Sequence, residues 1–241
     1  MATSPPAPTP EARFVQDLLR PVSQERLDKY RPQSGSDLDM LVNYYWNIAL
    51  CQALYPALDC VEVALRNTIH MTLTDHFGSE YWFDDLGIVR QAQFDDAQEA
   101  RAKLLRRRQT QTAGKIVAEL NFGFWVQMLT KYYEAPIWNP NRFALMLTAF
   151  PNVSRNARKP RSIHRRYLNI NLLRNRVFHF EPIWHYTNLP QEHLEVLHAI
   201  GWISPRQAEA VNLFDTFQTT YRDGKAEVRA KIEGYLVGRT S

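Results

Sequence analysis

Residues 172–184 read LLRNRVFHFEPIW and put a guanidinium, an amide and an imidazole into one helical stretch, at Arg174, Asn175 and His179. A histidine titrating near neutrality can take the proton from a ribose 2′-hydroxyl or give one to a leaving 5′-oxygen. An arginine can grip phosphate through two parallel hydrogen bonds and stabilise charge developing at phosphorus. Together these groups suit cleavage of RNA without a metal or other cofactor. One imidazole does not easily carry both proton transfers, so a two-fold dimer supplying two of them to one cleft would complete the chemistry. Asn175 and His179 are four apart, so the amide is placed to hold the imidazole in one orientation. Arg174 and His179 are five apart, about 140° around an ideal helix, and would flank a common groove. The same residues also read as a capped helix end, with His179 at the negative pole, Arg174 in a salt bridge and Asn175 satisfying a loop.

A second polar group lies upstream in VEVALRNTIH, residues 61–70. Glu62, Arg66 and His70 are spaced four apart and share one helix face, with Asn67 beside them. Val61, Leu65 and Ile69 imply partial burial, where a charge needs a partner. Only three residues separate Arg66 from His70, one fewer than between Arg174 and His179, so this is not read as a second reactive site. Two readings stay open: a network supporting Arg174 and His179, or a plain structural salt bridge.

Cations are clustered although the net charge is only +4. One cluster ends in Arg106, Arg107 and Arg108. The other holds Arg158, Lys159, Arg161, Arg165 and Arg166 and leads directly into the 172–184 stretch. Such clusters suit a polyanion and are the candidates for holding RNA phosphates, with steep salt dependence. A solvated helix face is the alternative.

Several chemistries lack a signature. No Gly-rich phosphate loop, CxxC pair, HExxH or GxSxG occurs, and the seven histidines lack recognised metal-ligand spacing. Cys51 and Cys60 sit in apolar, helix-like sequence and read as buried thiols of a reducing cytoplasm. The first residues, MATSPPAPTP, resemble no signal peptide, and no uninterrupted apolar run of membrane-spanning length is read, so a cytoplasmic protein with no membrane partner is expected.

The elements that must position these residues read as helices throughout. Residues 1–12 form a flexible Pro-rich tail, and 13–241 one helical domain with C-terminal helices from about 190 as an appended part. Ser23 caps one helix, and Ser36 or Asp37 opens a long apolar one that Pro56 should kink or divide and Gly78 should stop. Further helices are expected over 94–109, 122–133, 162–179, 190–199, 205–221 and 225–236. Ser204-Pro205 is a strong start signal, and prolines 136, 140, 151 and 160 punctuate the region between. The buried stripe of the 162–179 helix should be Ile163, Tyr167, Ile170, Leu173 and Val177. The fold class is all-α, an irregular multi-helix bundle.

LRNRVFHFEPI at 173–183 resembles the Abi-like family of abortive-infection proteins within the HEPN superfamily. VEVALRNTIH at 61–70, YYWNIALCQAL at 44–54 and SQERLDKY at 23–30 are similar to other elements of that family, in the same order. The resemblance spans about residues 23–185. It implies a helical bundle of HEPN type that dimerises and joins two Arg-x4-6-His motifs into a composite, metal-independent RNase site. Arg174 and His179 would then be catalytic and Asn175 orienting. Relatives act as toxins and in phage defence, so an antitoxin protein or small RNA would be a further partner. The superfamily also has non-catalytic members, so a non-catalytic RNA-binding module or a regulatory partner in a defence system is the alternative. A helical protein–protein scaffold is a weaker third.

Overall fold

The computed structural model describes residues 9–138 and 143–238; residues 1–8 of the expected tail and the punctuation at Pro140 lie outside them. The described residues form helices joined by turns and short loops, with no strand among them. In chain order the helices are α1 (Pro10–Val22), α2 (Gln24–Asp28), α3 (Asp37–Phe77), α4 (Gln91–Arg106), α5 (Ala113–Glu119), α6 (Phe122–Gln127), α7 (Lys131–Tyr133), α8 (Ala144–Ala149), α9 (Pro160–Phe178), α10 (Leu189–Ile203), α11 (Pro205–Phe214) and α12 (Phe217–Val237). Helix α1 starts at Pro10, so the last three residues assigned to the tail are helical.

The chain divides into two compact units. The first takes residues 1–55, 176–190 and 215–241, and the second takes 56–175 and 191–214. The boundaries fall inside α3, inside α9 between Asn175 and Arg176, inside α10 after Pro190, and between α11 and α12.

The first unit is built on Val15, Leu27, Tyr30, Met40, Leu41, Val42, Ile232 and Leu236. Ser23 caps α2 by accepting the Arg26 N–H, and Ser36 and Asp39 cap α3 reciprocally: the Asp39 N–H donates to Ser36 Oγ and the Ser36 N–H to the Asp39 carboxylate. Those bonds and Arg229 hold the Asp39 carboxyl below its ordinary range.

Helix α3 corrects two expectations. Pro56 does not divide it: the helix runs unbroken for 41 residues. The lost backbone bond is offset by burial on both sides, at Leu54, Ala57 and Leu58. It is also the stretch among the described residues long and apolar enough to cross a membrane, which the sequence reading missed, and half of that window is buried within the fold. Gly78 ends it as expected, with φ at +70° and its N–H on the Thr74 carbonyl, a left-handed cap that a Cβ would strain.

In the second unit, the helix expected over 122–133 is broken. Asn121 caps α6, which ends at Gln127; a turn follows, then α7 and a π-helical turn at Glu134–Trp138. The cluster buries Phe122, Phe124, Trp125, Tyr133 and Trp138, and the Trp138 indole N–H donates to the Met128 carbonyl at the break. Aromatic packing in several directions replaces one helical stripe. Downstream, the helix expected to reach 221 stops at Phe214, because the Asp215 carboxylate accepts the Phe217 N–H and starts α12. Within α12, Gly224 at φ +66° interrupts the helix just before Lys225, where the last helix was expected to begin.

Helix α9 carries the candidate residues. Its stripe Ile163, Tyr167, Ile170, Leu173 and Val177 is buried, each such side chain contributing about 1.5–3 kcal/mol. Tyr167 also donates its hydroxyl to the Ala199 carbonyl, and burial pushes its pKa up.

Candidate functional site

In the second unit, Leu173 anchors the last turns of α9 and sends Arg174 to the edge of the buried stripe. The Arg174 Nε–H donates to Glu62 Oε2 on α3 at 2.9 Å, with both side chains about four-fifths buried. Burial pushes the Glu62 carboxyl above its ordinary range, against the opposing pull of Arg174 and Arg66; Asp59 adds to the rise. The facing guanidinium offsets part of what burial costs the charged carboxylate. Asn175 is exposed, and its amide oxygen accepts from Arg174 Nη1 at 3.4 Å. The amide expected to hold the imidazole is thus turned toward its own neighbouring arginine, which lies closer along the chain.

The upstream group separates into parts. Glu62 belongs with Arg174. Arg66 donates its Nε–H to Asn67 Oδ1 at 3.3 Å and acts on Glu62 through its charge, not through an ion pair. His70 leaves the network: its Nδ1 accepts the Trp82 indole N–H at 3.2 Å, among Trp82 and Phe83 rings. Burial holds its pKa below the ordinary value, against Glu80. A four-residue spacing put His70 on the Glu62 face, but the aromatic 3-10 turn Trp82–Asp84 claims it.

In the first unit, the chain leaving α9 forms a Schellman cap. The Glu181 N–H bonds to the Arg176 carbonyl at 2.8 Å and the Phe180 N–H to the Val177 carbonyl at 3.1 Å. His179 occupies the C-cap position and is exposed, and Phe180 takes the left-handed position with φ +49°. Arg176 pairs with Glu181 and lies over the Tyr186 ring. Trp184 is partly buried; its indole donates to the Lys29 carbonyl, and Lys225 sits over its ring.

Sequence reasoning missed the residues that hold this cap. Asn47 of α3 is fully buried and binds the backbone of 181–184, while Arg26 and Tyr30 bind the Phe180 carbonyl. The available signal was a lone carboxamide in the aromatic run YYWN, which a solely apolar stripe does not need.

The basic residues fare unequally. Arg106, Arg107 and Arg108 are exposed at and just beyond the end of α4, but Arg107 is paired with Glu119 at 2.5 Å. Arg158, Lys159, Arg161 and Arg165 are exposed around the start of α9, and Arg158 Nε donates to the Val153 carbonyl. Arg166 is committed to the fold, ion-paired with Glu195 and 4.4 Å from the Trp202 ring centre. No predicted site residue lines the cavity of about 550 Å³ between Arg90, Gln93, Gln127, Thr130 and Tyr133. Among the described residues no group of three or more His, Cys, Asp or Glu could hold a metal. Cys51 is a buried thiol whose pKa burial raises to about 12, and Cys60 is partly buried.

No family model, curated protein or solved structure matches the chain.

Proposed function

We propose that this protein is a metal-independent endoribonuclease of the Abi-like kind within the HEPN superfamily, acting as a toxin or in abortive infection. The observation that carries the reading is the Glu62–Arg174 pair. It joins the two segments whose letters resemble that family, and it presents a guanidinium oriented by a carboxylate at the edge of a buried stripe. His179, exposed at the C-cap of the same helix, supplies the imidazole.

In the proposed reaction, one histidine accepts the 2′-hydroxyl proton as its oxygen attacks the adjacent phosphorus. Arg174 stabilises charge on the non-bridging oxygens. The 5′-oxygen leaves with a proton from the second histidine of a homodimer, giving a 2′,3′-cyclic phosphate and a 5′-hydroxyl. Arg106, Arg108, Lys159, Arg161 and Arg165 hold flanking phosphates.

The test is incubation of purified protein with RNA in excess EDTA, with analysis of the product ends. Cleavage leaving cyclic phosphate supports the reading. Salt-sensitive RNA binding by wild type without cleavage favours the second reading, a non-catalytic RNA-binding module, which the exposed cations around the start of α9 would serve equally.

A further inference from the structure

The turn after α9 is held far more firmly than a helix end requires. A Schellman cap needs only its two backbone bonds and, usually, glycine in the left-handed position. Here that position is Phe180, whose Cβ makes a φ of +49° strained. Such a conformation persists only when its surroundings over-determine it.

The surroundings do so within the first unit. The Phe180 carbonyl accepts from both Arg26 Nη2 and the Tyr30 hydroxyl, each at 3.1 Å. Asn47 then takes the next residues with both ends of its carboxamide. Its Nδ2 donates to the Glu181 carbonyl at 3.3 Å, and its Oδ1 accepts the Ile183 and Trp184 N–H groups at 2.7 and 3.1 Å. Nδ2 also donates to the Tyr30 hydroxyl at 3.4 Å, and Asn43 holds the Tyr30 carbonyl at 2.9 Å. Tyr30 and Asn47 are buried, so these bonds are sheltered from water. Only Pro182, which has no N–H, is passed over.

We propose that Asn47, with Tyr30 and Arg26, is a positioning residue that fixes His179 by locking four of the five residues that follow it, Phe180, Glu181, Ile183 and Trp184. The inference rests on the proposed role of His179. Aspartate at 47 would lose the donor and leucine would lose both ends, so a carboxamide is what the site requires.

The experiment compares wild type with Asn47→Leu, which keeps the volume, and Tyr30→Phe, which removes one hydroxyl. Leu73→Ala, a buried-core substitution, serves as a control for simple loss of stability. Each is assayed for RNA cleavage well below its own Tm, for amide exchange at Ile183 and Trp184, and for the His179 ring resonances. Asn47→Leu is expected to speed exchange at both amides, shift and broaden the His179 signals, and lower kcat about 30-fold with KM changed under about threefold. Tyr30→Phe should lower kcat a few-fold, and adding Phe180→Gly should restore it by removing the strain. Leu73→Ala should lower Tm alone.

Unchanged kcat and ring signals in Asn47→Leu, with faster amide exchange, would overturn the positioning role and leave a structural clamp. Continued protection of both amides would overturn the clamp itself. If wild type cleaves no RNA, the functional reading falls by itself, and the His179 ring signals alone decide whether Asn47 positions that side chain.

Discussion

The chain contains Leu-Arg-Asn twice, at 65–67 and at 173–175, each followed by a histidine. The two copies begin alike. Leu65 and Leu173 are both buried, and each arginine donates to the amide oxygen of the asparagine beside it. One residue of spacing then separates their fates. His70 falls inside α3, where it is partly buried and accepts from Trp82. His179 falls one residue beyond the last turn of α9, where it is the exposed cap. A proton carrier needs access to substrate, and only the second copy leaves its histidine exposed. The arginines diverge as well, since Arg174 has the Glu62 carboxylate and Arg66 feels it only at a distance.

The largest expected contrast is between the arginines. Arg174→Ala should lower RNA cleavage by about a thousandfold, the scale for removing a group that stabilises transition-state charge, and Arg66→Ala by less than about fivefold. Parallel single-turnover assays check this, and equal losses would erase the distinction between the copies.

Glu62→Gln comes next. The amide oxygen can still accept the Arg174 Nε–H but leaves the buried guanidinium without its counter-charge, so stability should fall by less than the roughly 3–5 kcal/mol of a fully broken buried pair, read by urea unfolding at pH 7. Cleavage should still fall about tenfold, because Arg174 loses its orienting charge. A large fall in stability with full activity per folded molecule would make the pair purely structural.

A smaller effect concerns pH. The folded-state pKa of His70 lies below its ordinary 6.5. As pH falls below that value the unfolded chain takes up the proton first, so the stability His70 contributes is complete above about 6.5 and is lost progressively as pH falls through the lowered value. His70→Phe should therefore flatten the fall in urea midpoint between pH 7 and 5, while costing about 1–3 kcal/mol at pH 7 through the unsatisfied Trp82 donor. An undiminished slope would place the titration elsewhere.

The smallest effect separates two neighbouring cations. Arg161→Ala should weaken RNA binding a few-fold and reduce the salt slope by about 0.7. Arg166→Ala should instead lower Tm, because Arg166 serves Glu195 and Trp202.

Local rules made much of the framework legible. The caps at Ser23 and Ser36, the stop at Gly78 and the five-residue stripe of α9 each follow from a few adjacent letters. Pro56 does not divide α3, because the buried Leu54 and Leu58 around it offset one missing hydrogen bond. Residues 122–133 misled because aromatics packing in several directions mimic a helical stripe. The pairing of Glu62 with Arg174 spans 112 residues and that of Asn47 with Ile183 spans 136, so neither follows from spacing. His70 and Arg166 show the converse: correct residue types whose partners, Trp82 and Glu195, took them for the fold.

The most direct measurement is cleavage of one RNA by wild type, His179→Ala and His70→Ala, in excess EDTA and at matched folded concentration. The account predicts that His179→Ala loses at least about a hundredfold in rate while His70→Ala stays within about threefold of wild type. Cleavage by His179→Ala at the wild-type rate would contradict it.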